Sequence, residues 1–295
     1  MKNITYVNDK FVNHDKAVVS VEDRGLLFSD SIYELISVFN GKIIDLKLHL
    51  NRLFKSLKKI RIKSNFSKNK IENIINKLMN QNSLKNGYIY IQVTRGTAER
   101  KHEFPINYKP TLIIFTKNLN INKKIYEKGI KVVSMPDIRW MRRDIKSTSL
   151  LPNILAKQNA IEKGAYEALL VDNGHITEGS ASNIWIIKDS NKIVTHPVNN
   201  KILNGITRQT LIKILKKNNF IVLEKSFNLI QAKNSKEAFL TSSTMAILPI
   251  IKIDNFSISN GKPGETTQKI MSLYNYYINQ KENKKKNSSK ELKIA

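Results

Sequence analysis

No cysteine occurs among the 295 residues, which excludes disulfides, thiolate zinc sites and a cysteine nucleophile. No run of 18 apolar residues occurs either, and Met1-Lys2-Asn3-Ile4-Thr5 lacks the apolar stretch of a signal peptide. The expectation is therefore a soluble cytoplasmic protein. Acidic residues are few beside basic ones, 24 against 50, for a formal net charge of +26. Such an excess ordinarily points to nucleic acid. Here the basic residues are dispersed through a chain rich in Asn and Ile, without an aromatic-interleaved basic platform or zinc-ligand spacing. A basic nucleic-acid-binding protein is thus the lesser reading, and no nucleic-acid partner is expected. The one concentrated basic run falls in a polar C-terminal tail, 281–295, expected to be disordered.

The length allows one large or two medium domains. Strand-like runs and helical periodicities alternate. Thr5 to Val12 reads as strand, turn and strand, and Asn40-Gly41 and Asn173-Gly174 each join two β-rich runs as hairpin turns do. Leu46, Leu50, Leu53, Leu57 and Ile60 make the core face of a helix that Asp45 caps. On a neighbouring face His49 and Arg52 lie three apart, where they could jointly meet an anion or stay solvated. A second helix covers 67–80, and the polar stretch 117–124 is the expected linker between domains 1–119 and 120–280.

Lys146 stands in a polar turn between a strand-like run, 131–134, and a helix, 153–163, with Pro152 where a first turn tolerates proline. Arg139, Arg142 and Arg143 would raise the local positive potential, favouring a neutral, nucleophilic amine of the kind Schiff-base chemistry needs. A loop lysine in a lysine-rich chain is otherwise simply solvent-facing. Glu178 leaves a strand end at Gly179, an exposed position by pattern. Thr207 is a candidate N-cap for a helix 208–218, whose amides and dipole would suit a phosphate. Thr241 to Thr244 offers four hydroxyls after a strand. Arg100 and His102, two apart in an extended segment, would point the same way and offer donors to one carboxylate. Tyr33 lies on a strand, ordinarily a core position.

Taken in order, Asp23-Arg24-Gly25, Phe28-x-Asp30-x-x-Tyr33-Glu34, His49-x-x-Arg52-Leu53, Asp144-Ile145-Lys146-Ser147, Thr177-Glu178-Gly179-Ser180-x-Ser182-Asn183 and Gly205-Ile206-Thr207-Arg208 resemble the class IV pyridoxal-phosphate aminotransferases. Arg95-Gly96-Thr97-x-x-Arg100-x-His102-x-Phe104-Pro105 resembles the D-amino acid branch of that class. The resemblance implies an α+β fold of type IV, with a small α/β N-terminal domain and a larger pseudobarrel C-terminal domain. It also implies a homodimer with the cofactor between the domains.

In that scheme Lys146 carries pyridoxal phosphate as a Schiff base and moves the substrate proton, while Glu178 keeps the pyridine nitrogen protonated. Arg52, Ile206, Thr207 and Ser243 hold the phosphate, with Leu203 packing near the ring. Tyr33, Arg100 and His102 trap the carboxylate of a D-amino acid, the last two arriving from the partner subunit, with a 2-oxo acid as acceptor. Ser29 and Ser31 depart from glycines often seen beside the tyrosine. The alternatives are a branched-chain L-amino acid aminotransferase and an aminodeoxychorismate lyase.

Overall fold

The computed structural model describes residues 3–120 and 122–291, the last eleven as backbone only. The chain divides into two compact units. Unit 1 comprises Met1–Asn120 with Ile145–Leu150, and unit 2 comprises Ile121–Asp144 with Leu151–Ala295. The short segment around Lys146 thus belongs to unit 1, although the residues on either side of it belong to unit 2.

Unit 1 contains β1 (Ile4–Val7), β2 (Lys10–Asn13), α1 (Arg24–Phe28), β3 (Ser31–Phe39), β4 (Lys42–Ile43), α2 (Leu46–Lys59), α3 (Lys68–Gln81), β5 (Gly87–Thr94) and β6 (Leu112–Asn118). The strands form one antiparallel sheet in the order β2-β1-β6-β5-β3-β4. Side chains alternate along a strand, so Ile32, Ile36 and Val38 of β3 join Ile89, Ile91 and Val93 of β5 in the core that α2 and α3 cover. Leu50, Leu53 and Leu57 of α2 and Ile71, Ile75 and Leu78 of α3 fill it. Asn40 and Gly41 both take positive φ (48° and 75°), the geometry a two-residue hairpin turn demands. Asp45 precedes α2 but gives it no side-chain cap, whereas Ser67 caps α3 through the Lys70 amide.

Unit 2 contains α4 (Lys124–Lys128), β7 (Ile130–Pro136), α5 (Leu151–Glu162), β8 (Glu167–Asp172), β9 (His175–Gly179), β10 (Asn183–Asp189), β11 (Lys192–Thr195), α6 (Ile206–Lys217), β12 (Ile221–Glu224), α7 (Leu229–Lys233), β13 (Glu237–Ser242), β14 (Ala246–Ile253), β15 (Phe256–Ser257) and α8 (Glu265–Glu291). Its mixed sheet runs β12-β11-β10-β13-β14-β7-β8-β9, with β15 on β14. It curls so that the end of β9 meets β10, where the Gly179 amide donates to the Ser182 carbonyl. The unbroken apolar run Ile184-Trp185-Ile186-Ile187 on β10 is buried on both faces. Ile184 and Ile186 face one core with Val132, Leu169 and Leu240. Trp185 and Ile187 face a second core against Leu211 and Leu215 of α6 and Ile270 and Tyr274 of α8.

Helix α8 continues to Glu291, so helical backbone occupies most of the segment expected to be disordered. Residues 292–295 of that tail lie outside the described residues. No helix among the described residues is long and apolar enough to cross a membrane.

Candidate active site

In unit 1 the segment 145–150 lies along β3. The Tyr33 amide donates to the Lys146 carbonyl at 3.0 Å, and the Thr148 amide donates to the Ser31 carbonyl at 3.2 Å. Ile145 is buried in the unit 1 core, and the Ser31 and Thr148 hydroxyls lie 2.5 Å apart. This pairing sets Lys146 Nζ 4.1 Å from the centre of the Tyr33 ring. Tyr33 stacks on Tyr90 at 5.8 Å, which stacks on Phe115 at 4.8 Å. The reactive-amine candidate therefore rests on a stiff aromatic column. The three arginines expected to raise its potential do not act as free charges. Arg139 pairs with Asp137 and Glu178, Arg142 with Asp144, and Arg143 with Asp137 and Asp172.

One residue along β3, Glu34 points the other way, into the apolar core, and is fully buried. A carboxylate there must be paired. His49 Nδ1 lies 2.7 Å from Oε2, Arg52 Nε donates to Oε1 at 2.7 Å, and Arg52 Nη2 donates to Oε2 at 2.8 Å. The anion that His49 and Arg52 jointly meet in this chain is Glu34, and the solvated alternative for this face is excluded. Burial alone would push the Glu34 carboxyl up; Arg52 and His49 outweigh it and bring it down to about 2. His49 is held below its ordinary value, by burial first, with Arg52 and Lys146 adding to the effect and Glu34 opposing it. Sequence reasoning overlooked Glu34, although a Glu in phase with Ile32 and Ile36 was the available signal.

Arg100 and His102 lie on the exposed loop 95–111 between β5 and β6, and both pack on Phe28. The Arg100 guanidinium is 5.2 Å from the centre of that ring and the His102 imidazole 5.4 Å. Among the described residues, Tyr33 shares no hydrogen bond or ring contact with either.

In unit 2 Glu178 is not on an exposed loop. It lies within β9 and is 4 % exposed, because the strand continues to Gly179 and the sheet curls over it. Arg139 Nη1 donates to Oε1 at 2.5 Å, Asn183 Nδ2 donates to Oε2 at 3.0 Å, and the Leu203 amide reaches both oxygens at 3.1–3.2 Å. Burial pushes the Glu178 carboxyl up and Asp137 adds to that, while Arg139 and the Leu203 amide pull it down. Arg139 is in turn gripped by Asp137 through Nε (2.9 Å) and Nη2 (2.8 Å). Asn183 is a functional candidate that the sequence placed in a motif without giving it a role, and Arg139, expected to raise the potential at Lys146, pairs with Glu178 instead.

Helix α6 begins two residues earlier than expected. Its N-cap is Gly205, not Thr207, and no side chain caps it. Ile206 and Thr207 are thus its first two residues, and their amides belong to the uncapped first turn. Asn183 Oδ1 stands where a Gly205 Cβ would be. Of the four hydroxyls after the strand, Thr241 turns inward and accepts from Trp185 Nε1 at 2.9 Å, and Ser242 accepts from the Met245 amide at 3.2 Å. Ser243 lies half-buried in the turn between β13 and β14.

Residues 31–253 match the family model of the amino-transferase class IV. The chain is a class IV aminotransferase. It is 40% identical to a D-alanine aminotransferase of Staphylococcus aureus (strain N315) over 274 residues, 92% of this chain and 97% of that one. It is 36% identical to a D-alanine aminotransferase of Bacillus licheniformis over 90% of this chain and 93% of that one. Among solved structures, a branched-chain aminotransferase of Thermoproteus uzoniensis superposes with a TM-score of 0.86 at 25% identity, covering 96% of this chain and 97% of that one. The branched-chain amino acid aminotransferase of Escherichia coli gives 0.84 at 23% identity, covering 92% of each chain, a likeness of fold.

As a member of this class the aminotransferase uses pyridoxal phosphate, and its residues suit that group. An amine faces an aromatic ring in unit 1. Unit 2 offers a buried carboxylate fixed by three donors and an uncapped helix N-terminus of the kind that binds phosphate.

Proposed function

We propose that this aminotransferase moves the amino group of a D-amino acid, D-alanine foremost, to 2-oxoglutarate, giving pyruvate and D-glutamate. The observation that carries this reading is the packing of both Arg100 and His102 against the ring of Phe28. Two donors side by side suit a substrate carboxylate, and the likeness to D-alanine aminotransferases along nearly the whole chain supports the same substrate class.

When bound, pyridoxal phosphate supplies the electron sink for the departing α-proton. Lys146 would carry the cofactor and move that proton with its amine. Glu178 would face the pyridine nitrogen and favour its protonated form, and Leu203, whose amide fixes Glu178, would pack near the ring. The first-turn amides of α6 at Ile206 and Thr207, with Ser243 and Arg52, would bind the phosphate. Tyr33 would supply a third contact to the substrate carboxylate. With the carboxylate and the amine both fixed, only one enantiomer directs its α-hydrogen at Lys146.

We further infer a cytoplasmic homodimer. Leu151, Ile154, Leu155 and Ile161 of α5 are each more than half exposed, an apolar face that a second copy would cover. A second subunit would also bring its own Arg100 and His102, which Tyr33 does not meet within one chain.

Turnover of D-alanine, D-glutamate, L-alanine and L-leucine, with 2-oxoglutarate or pyruvate as acceptor, tests the substrate. Activity on the D-amino acids is expected, whereas turnover of L-leucine with no D-amino acid would replace this reading by the branched-chain one. Light scattering tests the dimer, for which a mass of twice 33.9 kDa is expected.

A further inference from the structure

Arg100 and His102 are exposed, on an irregular loop, and carry long or freely rotating side chains. Left to themselves they would sample many rotamers, and ordering them on a substrate would weaken binding. Among the described residues neither side chain makes a hydrogen bond or ion pair with the protein. Each makes a ring contact, and it is with the same ring, that of Phe28.

Phe28 is itself fixed. Asp23 caps α1 by accepting from the Gly25 amide at 2.8 Å, and Ser29 ends the helix in the left-handed region, with φ of 53°. Phe28 therefore occupies the last residue of one short helical turn, where the guanidinium of Arg24, four residues earlier, lies 4.7 Å from its ring centre.

The same Arg24 anchors the loop. Its amide donates to the Gly96 carbonyl at 3.0 Å. Nη1 donates to the Lys101 carbonyl at 2.6 Å and Nη2 to the His102 carbonyl at 3.4 Å. Asp30 holds Arg24 Nε at 2.9 Å and also binds Arg95, through Nε at 2.6 Å and Nη2 at 3.0 Å. Arg24 and Arg95 are 3 % and 1 % exposed, so the backbone bearing Arg100 and His102 is tied to a buried ion cluster while their side chains pack on one ring.

We propose that Phe28, held with the loop backbone by the Arg24–Asp30–Arg95 cluster, is a positioning residue that sets the spacing of Arg100 and His102 for the substrate carboxylate. The proposal rests on the reading of these two residues as the carboxylate site. A guanidinium stacked on an aromatic face keeps its in-plane N–H fork free, and the imidazole nitrogens likewise lie at the ring edge. Packing on Phe28, with the guanidinium 5.2 Å from the ring centre and the imidazole tilted by 50° to the ring, thus restrains both groups without a hydrogen bond that would occupy the donors a carboxylate needs.

The test uses the cofactor-loaded enzyme, with KM and kcat for D-alanine, the inhibition constant of the non-reacting carboxylate D-lactate, and the melting temperature. Phe28→Leu keeps apolar bulk but removes the aromatic face. It is expected to raise both KM and the D-lactate constant about five- to tenfold, with kcat changing much less, and Phe28→Trp is expected to restore them. Arg24→Lys, which loses the bonds to two loop carbonyls, provides a second route should Phe28→Leu fail to fold, and is expected to raise the same two constants. Arg100→Ala and His102→Ala separate the two levels of the argument. If neither alters KM or the D-lactate constant, the carboxylate reading fails and this inference with it. If they raise both constants while Phe28→Leu and Arg24→Lys leave them unchanged, or if Phe28→Trp is as damaging as Phe28→Leu, the positioning role is overturned and the carboxylate reading stands.

Discussion

Arg139 and Glu178 form a buried ion pair with 2.5 Å between Nη1 and Oε1, and Arg139 is held from behind by the buried Asp137. Burial favours the neutral form of Glu178, and Arg139 is the largest influence opposing it. Arg139→Met removes that opposition and leaves a carboxylate without its cation, for which a loss of about 3–5 kcal/mol of stability is expected at neutral pH. The sign with pH follows from the raised carboxyl: protonated Glu178 needs no cation, so the deficit shrinks as pH falls and grows as pH rises. Pyridoxal phosphate affinity, measured by equilibrium dialysis, is expected to fall on the order of tenfold as the ring loses an ionised partner. A double variant, Arg139→Met with Glu178→Gln, is expected to be less destabilised than the sum of the two single changes. Additivity would show that the pair is not coupled.

The buried cluster of Glu34, His49 and Arg52 makes stability fall in acid in two stages. His49 is held below the ordinary 6.5, so the unfolded chain takes up a proton there first, and stability begins to fall as pH drops below about 6.5. Glu34 sits at about 2 against an ordinary 4.5, so its contribution is complete above 4.5 and is lost as pH falls from there through 2. That difference corresponds to roughly 3 kcal/mol. Denaturation midpoints followed from pH 8 to pH 3 test this. His49→Gln is expected to abolish the upper stage and, because His49 also helps to hold Glu34 down, to shrink the lower one; a wild-type profile with no loss between pH 6.5 and 4 would contradict the two-stage account.

What the sequence carried, and what it did not, follows from the range of the interactions involved. Hairpin turns such as Asn40-Gly41 and the leucine face of α2 are local, set by backbone φ and by side-chain period, and both stand in the structure. Arg52 and His49 were legible as neighbours on a helix, but their partner Glu34 comes from a strand, and only packing brings it to them. Glu178 read as an exposed loop because Gly179 follows it. The curl of β9 against β10, which buries it, is a property of the whole sheet. The Lys146 segment read from its sequence as a polar turn, yet its pairing with β3 is non-local and leaves no mark in its own residues. Thr207 read as a helix cap because threonine is a good one. The uncapped Gly205 is explained instead by Asn183, 22 positions earlier in the chain, occupying the space a side chain would need.

Ser29 is a local departure with a measurable consequence. It holds φ of 53° and ψ of 26° at the end of α1, a conformation that glycine adopts freely and an L-residue adopts at a cost of about 1–2 kcal/mol. Ser29→Gly is expected to stabilise the protein by about 0.5–1 kcal/mol, part of the relief being offset by the greater freedom of glycine in the unfolded chain. Thermal unfolding measures it, and a lowered melting temperature would mean that the serine side chain makes a contribution larger than the backbone strain.

Gly205 links the carboxylate of unit 2 to the helix beside it. Asn183 Nδ2 donates to Glu178 Oε2 at 3.0 Å and to the Leu203 carbonyl at 2.9 Å, so one amide group ties β10 to Glu178 and to the loop that enters α6. Its Oδ1 fills the position of a side chain at Gly205. Gly205→Ala must therefore displace Asn183, breaking a hydrogen bond to a buried carboxylate and shifting the first turn of α6. A charged hydrogen bond contributes about 1.5–3 kcal/mol, so pyridoxal phosphate is expected to bind one to two orders of magnitude more weakly, by equilibrium dialysis. Asn183→Ala removes the hydrogen bond but also the obstruction. The double variant Gly205→Ala with Asn183→Ala is then expected to bind the cofactor about as well as Asn183→Ala alone, since the added methyl group no longer has anything to displace. Additive losses in the double variant would mean that Gly205 acts on the helix independently of Asn183.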